Sequence, residues 1–484
     1  MNYQTIIGLE VHAQLLTRSK MYCGCSSDYA STPPNTHVCP VCLGMPGVLP
    51  VINKQAVEYT MMTALALNCP ISEFTKFDRK NYPYPDLMKG YQISQFDAPI
   101  GQKGYLNIEV DGAVKKIGIT RVHLEEDVAK LLHRSAGGED YSLVDVNRSG
   151  CPLMEIVGDP DLRSPEEARQ YLIKLRSILQ YLGVSTGNME EGSFRCDANI
   201  SLLPEGSKEY TAKVEVKNMN SFKAVYLAME YEAQRQRKAV AEGRKLVQET
   251  RGWVEAEGKT VSQRSKEFAH DYRYFPEPDL PPIIIGRDWV EAVRKNLPEL
   301  PESRRDRFIS EYGLTSYDAN LLTSSKALAE YFEEGTKVSK EITPKEVGNW
   351  LIGEVSRIIN ASGIDIEVFR EKVSPKMLAG LILSSHGAIN AATAKSVLED
   401  MFTSGQNAED IIKKRGLSQI SDTGELEKIV AEVIHSNGQP VADYKAGKET
   451  ALKFLVGQVM KASKGRANPQ LVNEVLKRKL AETQ

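Results

Sequence analysis

Two short segments of the sequence each carry a carboxylate and an imidazole two residues apart. Glu10 and His12 form the first pair, His123 and Glu125 the second, with one apolar residue inside each pair. Because strand side chains alternate between two faces, both members of a pair point the same way. Such groups can hold a divalent cation or move protons. Any half-buried antiparallel strand shows the same alternation, so spacing alone favours an ordinary structural role.

Four of the seven cysteines lie in two close pairs near the start of the chain. Cys23 and Cys25 form one pair, Cys39 and Cys42 the other, and thirteen residues separate the pairs. This pattern is typical of a four-thiolate zinc site, which has no open position and is therefore structural. The first pair is spaced more closely than the common CxxC, so buried cysteines without metal are the alternative. The other three cysteines are predicted to be buried as small apolar groups.

The end of the chain carries an excess of positive charge. From Lys445 onwards there are nine basic and three acidic residues, although the net charge of the whole chain is −3. Nucleic-acid binding depends on such local patches more than on the sum over a chain. For an arbitrary protein, however, a solvated helix face explains this pattern better.

Strand signals dominate the sequence up to about residue 290. Alternation runs through 6–15, 195–203 and 210–216, and an Asp-Gly dipeptide at 111–112 predicts a hairpin. Ser164 begins a capping box ahead of leucines at helical spacing, which predicts a core helix. The fold class predicted for this part is α+β.

Helix signals replace strand signals after two proline clusters. The clusters lie at 276–282 and 298–301, and beyond them Thr343 and Ser374 each precede a proline at a predicted helix start. A polar break at 402–407 separates the basic tail. We predict a mixed domain at 1–292 with a zinc-binding insertion near 23–42, an all-α domain at 293–407 and a small α-helical tail domain at 408–484.

Length and composition are those of a multidomain globular protein. The chain has 484 residues, of which 41% are hydrophobic and 26% charged. No apolar run reaches the ~18 residues of a membrane span, and the N-terminus does not resemble a signal peptide. We therefore expect a cytoplasmic protein. The sequence contains neither a standard phosphate-binding glycine loop nor a nucleophile elbow.

Several long segments carry a family resemblance. VDVNRSGCPLMEIV at 144–157 resembles the signature of the B subunits of tRNA-dependent amidotransferases. The likeness extends from end to end, through 7–12, 76–82, 91–96, 195–201, 271–279 and 460–469. Matches spread over the whole chain are more specific than any one short motif.

The resemblance implies a fold and a set of functional residues. It implies a cradle-shaped catalytic domain similar to glutamine synthetase and guanidino kinases, then a helical domain and a tail domain that binds tRNA. Glu10, His12 and Glu125 are implied at a magnesium and ATP site, where His12 orients a phosphate or water if it does not bind the metal. Weaker candidates for the ATP site are Glu155 and Glu215. Candidate phosphate contacts, which could equally be surface ion pairs, are Arg79, Lys80, Lys213 and Arg273. Candidate tRNA contacts are Lys461, Lys464 and Arg466.

The resemblance also implies a reaction and partners. ATP would phosphorylate the side-chain carboxylate of glutamate on tRNA(Gln), or of aspartate on tRNA(Asn), and ammonia would displace the phosphate. A separate glutaminase A subunit would supply the ammonia, and a small C subunit would hold the two together. Zinc occurs in some family members only, in agreement with a structural role.

Two other functions compete with this interpretation. The first is a non-catalytic, zinc-containing tRNA-binding protein. The second is a free-standing ATP-dependent ligase for a small amino acid. The basic tail argues against the second, because such a ligase has no use for a nucleic-acid contact surface.

Overall fold

The chain forms two compact units, Met1–Pro301 and Glu302–Gln484. The computed structural model describes residues 3–265, 272–417, 423–463, 467 and 469–482. Within these ranges every strand belongs to the first unit, and the second is helical. The prediction of a mixed first part and a helical second part is confirmed. None of the helices in the described ranges is long and apolar enough to cross a membrane.

The first unit is built on an eight-stranded sheet. The strands are β1 Tyr3–Gln14, β2 Phe74–Thr75, β3 Asp78–Asn81, β4 Tyr91–Ser94, β5 Gly101–Val110, β6 Ala113–Glu126, β7 Lys130–Ala136, β8 Glu139–Asp145, β9 Pro152–Gly158, β10 Phe194–Pro204, β11 Val214–Lys217, β12 Glu249–Val254, β13 Lys259–Ser265, β14 Phe275–Pro276 and β15 Ile283–Ile284. The large sheet has the order β13-β12-β11-β10-β1-β9-β6-β5, and only β11 and β12 run parallel. Three small sheets have the orders β14-β3-β4, β15-β2 and β7-β8.

Local sequence explains the predicted strands and one deviation from them. Asp111 and Gly112 both have positive φ, 52° and 77°, as a two-residue hairpin turn between β5 and β6 requires. The strand predicted over 210–216 begins only at Val214. Thr211 instead makes two hydrogen bonds to the backbone of Leu202. The Oγ1 of Thr211 accepts from the N–H of Leu202, and the N–H of Thr211 donates to the carbonyl of Leu202, each at 2.8 Å.

Within the described residues of the first unit, four helices accompany the sheet. They are α1 Lys54–Ala66, α2 Pro165–Leu182, α3 Phe222–Ala241 and α4 Arg287–Lys295, and a 3-10 turn spans Glu255–Glu257. Ser164 caps α2 as predicted, accepting from the N–H of Glu167 at 3.1 Å. The Glu167 carboxylate does not complete the predicted capping box, because it accepts from the N–H of Arg163 instead. The apolar face of α2 is buried in the core of the sheet, so the predicted core helix is confirmed.

The second unit contains thirteen helices within the described residues. They are α5 Pro301–Tyr312, α6 Ser316–Leu322, α7 Lys326–Thr336, α8 Pro344–Trp350, α9 Ser356–Ser362, α10 Ile366–Lys372, α11 Pro375–Ser385, α12 Ala391–Ser404, α13 Ala408–Arg415, α14 Thr423–Ser436, α15 Gly438–Lys445, α16 Glu449–Ala462 and α17 Pro469–Glu482, with a π-helical turn at Leu351–Val355 before α9. Thr343 and Ser374 cap α8 and α11, as predicted.

The described residues of the second unit form two apolar cores. One contains buried residues from Phe308 to Ile412 and includes α13, and the other extends from Leu426 to Leu480. The division of this region into domains at 293–407 and 408–484 stays a prediction.

Candidate active site and cysteine cluster

Three adjacent strands bring the predicted histidine and carboxylates together. In the antiparallel register, His12 on β1 lies opposite Glu155 on β9, and Glu155 lies opposite His123 on β6. Glu125 shares the face of His123 because it follows two residues later on β6. The strands that carry these residues are far apart in the sequence but adjacent in the sheet. The register therefore creates a row of alternating imidazole and carboxylate groups.

The row closes into a compact cluster. His12 Nε2 lies 3.4 Å from Glu155 Oε2 and 3.7 Å from Glu125 Oε1. His123 Nε2 lies 3.3 Å from the same oxygen of Glu155. One ligand atom from each of His12, Glu125 and Glu155 lies within 4.8 Å of the other two, so these side chains could hold a metal ion. Two nearly buried carboxylates and one imidazole form a donor set suited to a divalent cation.

The electrostatics of the cluster favour a positive charge between the carboxylates. Burial opposes ionisation of Glu155, but His123 and His12 outweigh it and hold the pKa of Glu155 well below its usual value. Burial likewise opposes the charged form of His12, yet the hydrogen bond with Glu155 and the charges of Glu155 and Glu125 raise the pKa of His12. The carboxylates thus attract a proton to His12 just as they would attract a cation.

Glu10 lies in the adjacent row of the same sheet face. It pairs across β1 and β10 with Asp197, and its Oε1 accepts from Asn199 Nδ2 at 2.8 Å. It does not belong to the three-residue cluster. Of the predicted catalytic residues, the structure therefore brings His12 and Glu125 into direct contact and places Glu10 beside them.

Lys217 and Arg195 lie beside these rows and were not predicted as site residues. Lys217 Nζ contacts Asp197 at 2.6 Å and Glu215 at 3.2 Å. Arg195, opposite His12 in the register, contacts Asp127 at 2.8 Å. Both cations line a cleft of about 370 Å³ together with Asp197. Strand alternation was the available signal, because Lys217 follows Glu215 by two residues and Arg195 precedes Asp197 by two.

The four predicted phosphate contacts have different surroundings. Arg79 makes two 2.7 Å hydrogen bonds to the buried Glu277. Burial disfavours the charge on Lys80, but Glu125 and Glu155 are among the groups that raise its pKa, so Lys80 faces the cluster. Lys213 and Arg273 are both exposed.

The four predicted zinc ligands come together in the first unit. The Sγ atoms of Cys23, Cys25, Cys39 and Cys42 all lie within 4.8 Å of one another. The N–H of Cys39 donates to Cys42 Sγ at 3.1 Å. The hydrogen bond with Cys23, together with the backbone and the charge of Lys20, lowers the pKa of Cys42 to about 4 despite partial burial. The cluster is thus able to hold a metal such as zinc. The remaining three cysteines are buried, as predicted.

Only part of the predicted tRNA contact lies within the described residues. Lys461 is exposed near the end of α16. Lys464 and Arg466 lie outside the described residues.

Comparisons with known proteins agree over the whole chain. The family described as the GatB/GatE catalytic domain matches residues 5–291, and the one described as the GatB domain matches 330–480. A protein of Dehalococcoides mccartyi, described as the B subunit of an aspartyl/glutamyl-tRNA(Asn/Gln) amidotransferase, is 64% identical over 99% of both chains. Proteins with the same description are 55% identical in Carboxydothermus hydrogenoformans, over 99% of both chains, and 56% identical in a Thermoanaerobacter species, over the full length of both.

Proposed function

The chain belongs to the family of aspartyl/glutamyl-tRNA(Asn/Gln) amidotransferase B subunits, and from this we propose that its carboxylate cluster is a kinase site acting on aminoacyl-tRNA. The substrate is the free side-chain carboxylate of glutamate on tRNA(Gln), of aspartate on tRNA(Asn), or of both. The observation that carries the proposal is the contact of His12, Glu125 and Glu155 on one sheet face.

The chemistry requires activation before amidation. A carboxylate is a poor acyl donor, so one of its oxygens attacks the γ-phosphorus of ATP, the bond from that phosphorus to the β,γ-bridging oxygen breaks, and ADP leaves. Ammonia then attacks the carbonyl carbon, inorganic phosphate leaves, and a proton is lost to solvent. Both steps depend on positioning and charge neutralisation more than on a protein nucleophile.

Magnesium fits the carboxylates of this cluster. Glu125 and Glu155 would bind it through oxygen, with His12 as a ligand or as a donor to a bound phosphate, and Glu10 would lie beside the metal. When bound, the ion neutralises charge on the phosphoryl group being transferred. Arg195 and Lys217, which line one cleft, would contact the ATP phosphates, and Lys80 would contact the transferred group.

The cysteine cluster is proposed as a structural zinc site. Four protein thiolates would leave a bound zinc ion no position for substrate. The cysteines would then hold the loops at 23–25 and 39–42 together through the ion. A catalytic role would require an exchangeable ligand that this set lacks.

The partners follow from family membership. We place a glutaminase A subunit and a small C subunit with this chain in a cytoplasmic heterotrimer, and assign the basic tail to tRNA. The fold of the first unit is proposed to resemble glutamine synthetase and guanidino kinases. The description of its relatives as one subunit of an amidotransferase supports the partners, and the nine basic residues at the end of the chain support the tRNA contact.

Transfer of labelled phosphate tests the proposal. The chain assembled with its partner subunits is incubated with γ-labelled ATP and glutamyl-tRNA(Gln) or aspartyl-tRNA(Asn), without an ammonia source. Labelled acyl phosphate should form on the tRNA and disappear when ammonium is added. Glu155→Gln should abolish labelling. Tight tRNA binding with no labelling of either substrate would instead support a non-catalytic tRNA-binding protein.

A further inference from the structure

An aromatic cluster beside the carboxylates has no part in the reaction described so far. It consists of Tyr82, Phe96, Tyr272 and Tyr274. The rings of Phe96 and Tyr274 stack with centroids 4.2 Å apart and planes 9° apart. Tyr272 meets Tyr82 and Tyr274 edge-on, at 5.7 and 6.0 Å. Phe96 is 53% exposed, although its partner ring is largely covered. The cluster thus exposes about half of the Phe96 ring, which is supported from below by the ring of Tyr274.

Several contacts connect this cluster to the carboxylates. Ser94, two residues before Phe96, donates from Oγ to Glu125 Oε2 at 3.1 Å. Lys80 Nζ lies 5.0 Å from the centre of the Tyr272 ring. Burial raises the pKa of Tyr274 to about 12, and the charges of Lys80, Glu125 and Glu155 also act on its hydroxyl. The aromatic rings therefore border the candidate kinase site.

The backbone fixes Phe96 in this position. Its N–H donates to Asp78 Oδ2 at 3.2 Å, and Asp78 is itself held by a short ion pair with Lys76. A half-exposed ring on an anchored backbone loses little conformational freedom when it contacts a ligand.

The strand order separates the aromatic cluster from Arg195 and Lys217, the two cations assigned to the ATP phosphates. Lys217 and Arg195 lie on β11 and β10, whereas Ser94 and Phe96 belong to the segment that contacts Glu125 on β6. β1 and β9, with His12 and Glu155, lie between them. Phosphoryl transfer places the leaving group and the attacking group on opposite sides of phosphorus. If the ATP phosphates occupy the cation side, the acceptor must approach from the aromatic side.

We propose that this aromatic cluster stacks on the adenine of the 3′-terminal adenosine of the misacylated tRNA. The inference rests on the proposed function, because the aminoacyl group to be phosphorylated is esterified to that adenosine. Stacking on an aromatic ring is a common way to hold an unpaired terminal base. Held there, the base directs the attached side-chain carboxylate towards Glu125 and Glu155. The adenine of ATP offers the same chemistry, but its phosphates are assigned to the other side.

A fluorescent base tests the inference directly. The full chain assembled with its partner subunits is titrated into glutamyl-tRNA carrying 2-aminopurine in place of the terminal adenosine, because stacking quenches this base. Binding should quench the fluorescence. Phe96→Ala should remove most of the quench and raise the KM for glutamyl-tRNA about tenfold, as expected for one lost base stack. Phe96→Trp should keep the quench. Tyr141→Ala, which removes a 46% exposed ring on β8, is the matched control and should change neither quantity.

The KM for ATP separates the two sources of adenine. It should stay unchanged in Phe96→Ala. A raised KM for ATP with an intact quench would assign the cluster to ATP and overturn the inference. If neither the KM for ATP nor the quench changes, the cluster has only a packing role and the inference is also overturned. If Phe96→Ala lowers the melting temperature, the same measurements are made on Phe96→Leu, which keeps most of the apolar volume but has no ring. The quench needs no chemical step, so a complex that quenches without phosphorylating refutes the proposed function alone.

Discussion

His12 lies between two carboxylates that belong to neighbouring strands. Its Nε2 lies within 4 Å of both Glu125 and Glu155, and the raised pKa of His12 shows that they favour a cation there. Uncompensated carboxylates this close would repel one another. A divalent ion in the same place would therefore relieve repulsion between groups that the sheet holds fixed.

The first prediction removes one negative charge from this face at nearly constant volume. Glu125→Gln or Glu10→Gln should abolish amidation while tRNA binding remains, because each change weakens cation binding without altering the tRNA surface. Amidation and tRNA affinity are measured in parallel at limiting magnesium. Glu205→Gln, on an exposed turn of the same unit, is the control. Full activity in both variants would refute the assignment.

The second prediction concerns Arg79, which the sequence suggested as a phosphate contact. Its two hydrogen bonds to Glu277, whose side chain is 1% exposed, favour a structural role. Arg79→Met should lower the free energy of unfolding by about 3–5 kcal/mol, since it leaves a buried charge unpaired. Urea denaturation measures this loss, and the KM for ATP should stay the same.

A double variant is the control for Arg79. Arg79→Met combined with Glu277→Leu should recover much of the lost stability, because an apolar pair often replaces a buried ion pair at little cost. A raised KM for ATP in Arg79→Met at unchanged stability would instead support Arg79 as a phosphate contact.

At the scale of elements, sequence patterns predict which residues share a face of a strand, but not which strands are neighbours in the sheet. Alternation correctly placed Glu10 with His12 and His123 with Glu125, and turn chemistry located the hairpin at 111–112. Glu155 was only a weak candidate, because its importance depends on β9 lying between β1 and β6. That order joins β9 to β6 and also to β1, which lies more than a hundred residues earlier in the chain. Long-range pairing of this kind leaves no local signal.

The loops around the cysteines give the third prediction. Cys23→Ser together with Cys39→Ser should release about one zinc equivalent and lower the melting temperature, because a four-thiolate site contributes folding energy. The rate of phosphoryl transfer by the folded fraction should not change. Cys69→Ala removes a buried thiol outside the cluster and should retain the metal. Absence of zinc from the unmodified, reduced protein would contradict the prediction.

At the scale of the whole molecule, the two units carry different chemistry. The first contains the carboxylate cluster and the cysteines, and the second ends in the basic tail. Composition predicted this division of mixed and helical parts, but it could not locate the end of the first helical core. The boundary at 407 stays a prediction, but Ile411 and Ile412 of α13 are buried with residues 308–401. A truncation meant to remove only the tail must therefore begin after α13.

The last prediction follows from that core. Deleting 418–484 leaves the core from Phe308 to Ile412 complete, so the shortened protein should fold and keep at least part of its ATP hydrolysis. Its tRNA binding should weaken and depend less on salt, because phosphate contacts release counterions whereas a solvated helix face does not.

A milder variant, to be compared with the deletion, replaces Lys461, Lys464 and Arg466 by alanine in the full chain. Each lost contact should reduce the slope of log affinity against log salt by about one unit or less. The shortened protein and the triple variant are both assembled with the partner subunits and titrated with glutamyl-tRNA over a range of salt concentrations. Affinity and slope equal to those of the full chain would make the basic tail a solvated surface, and tRNA would then have to be bound elsewhere in the complex.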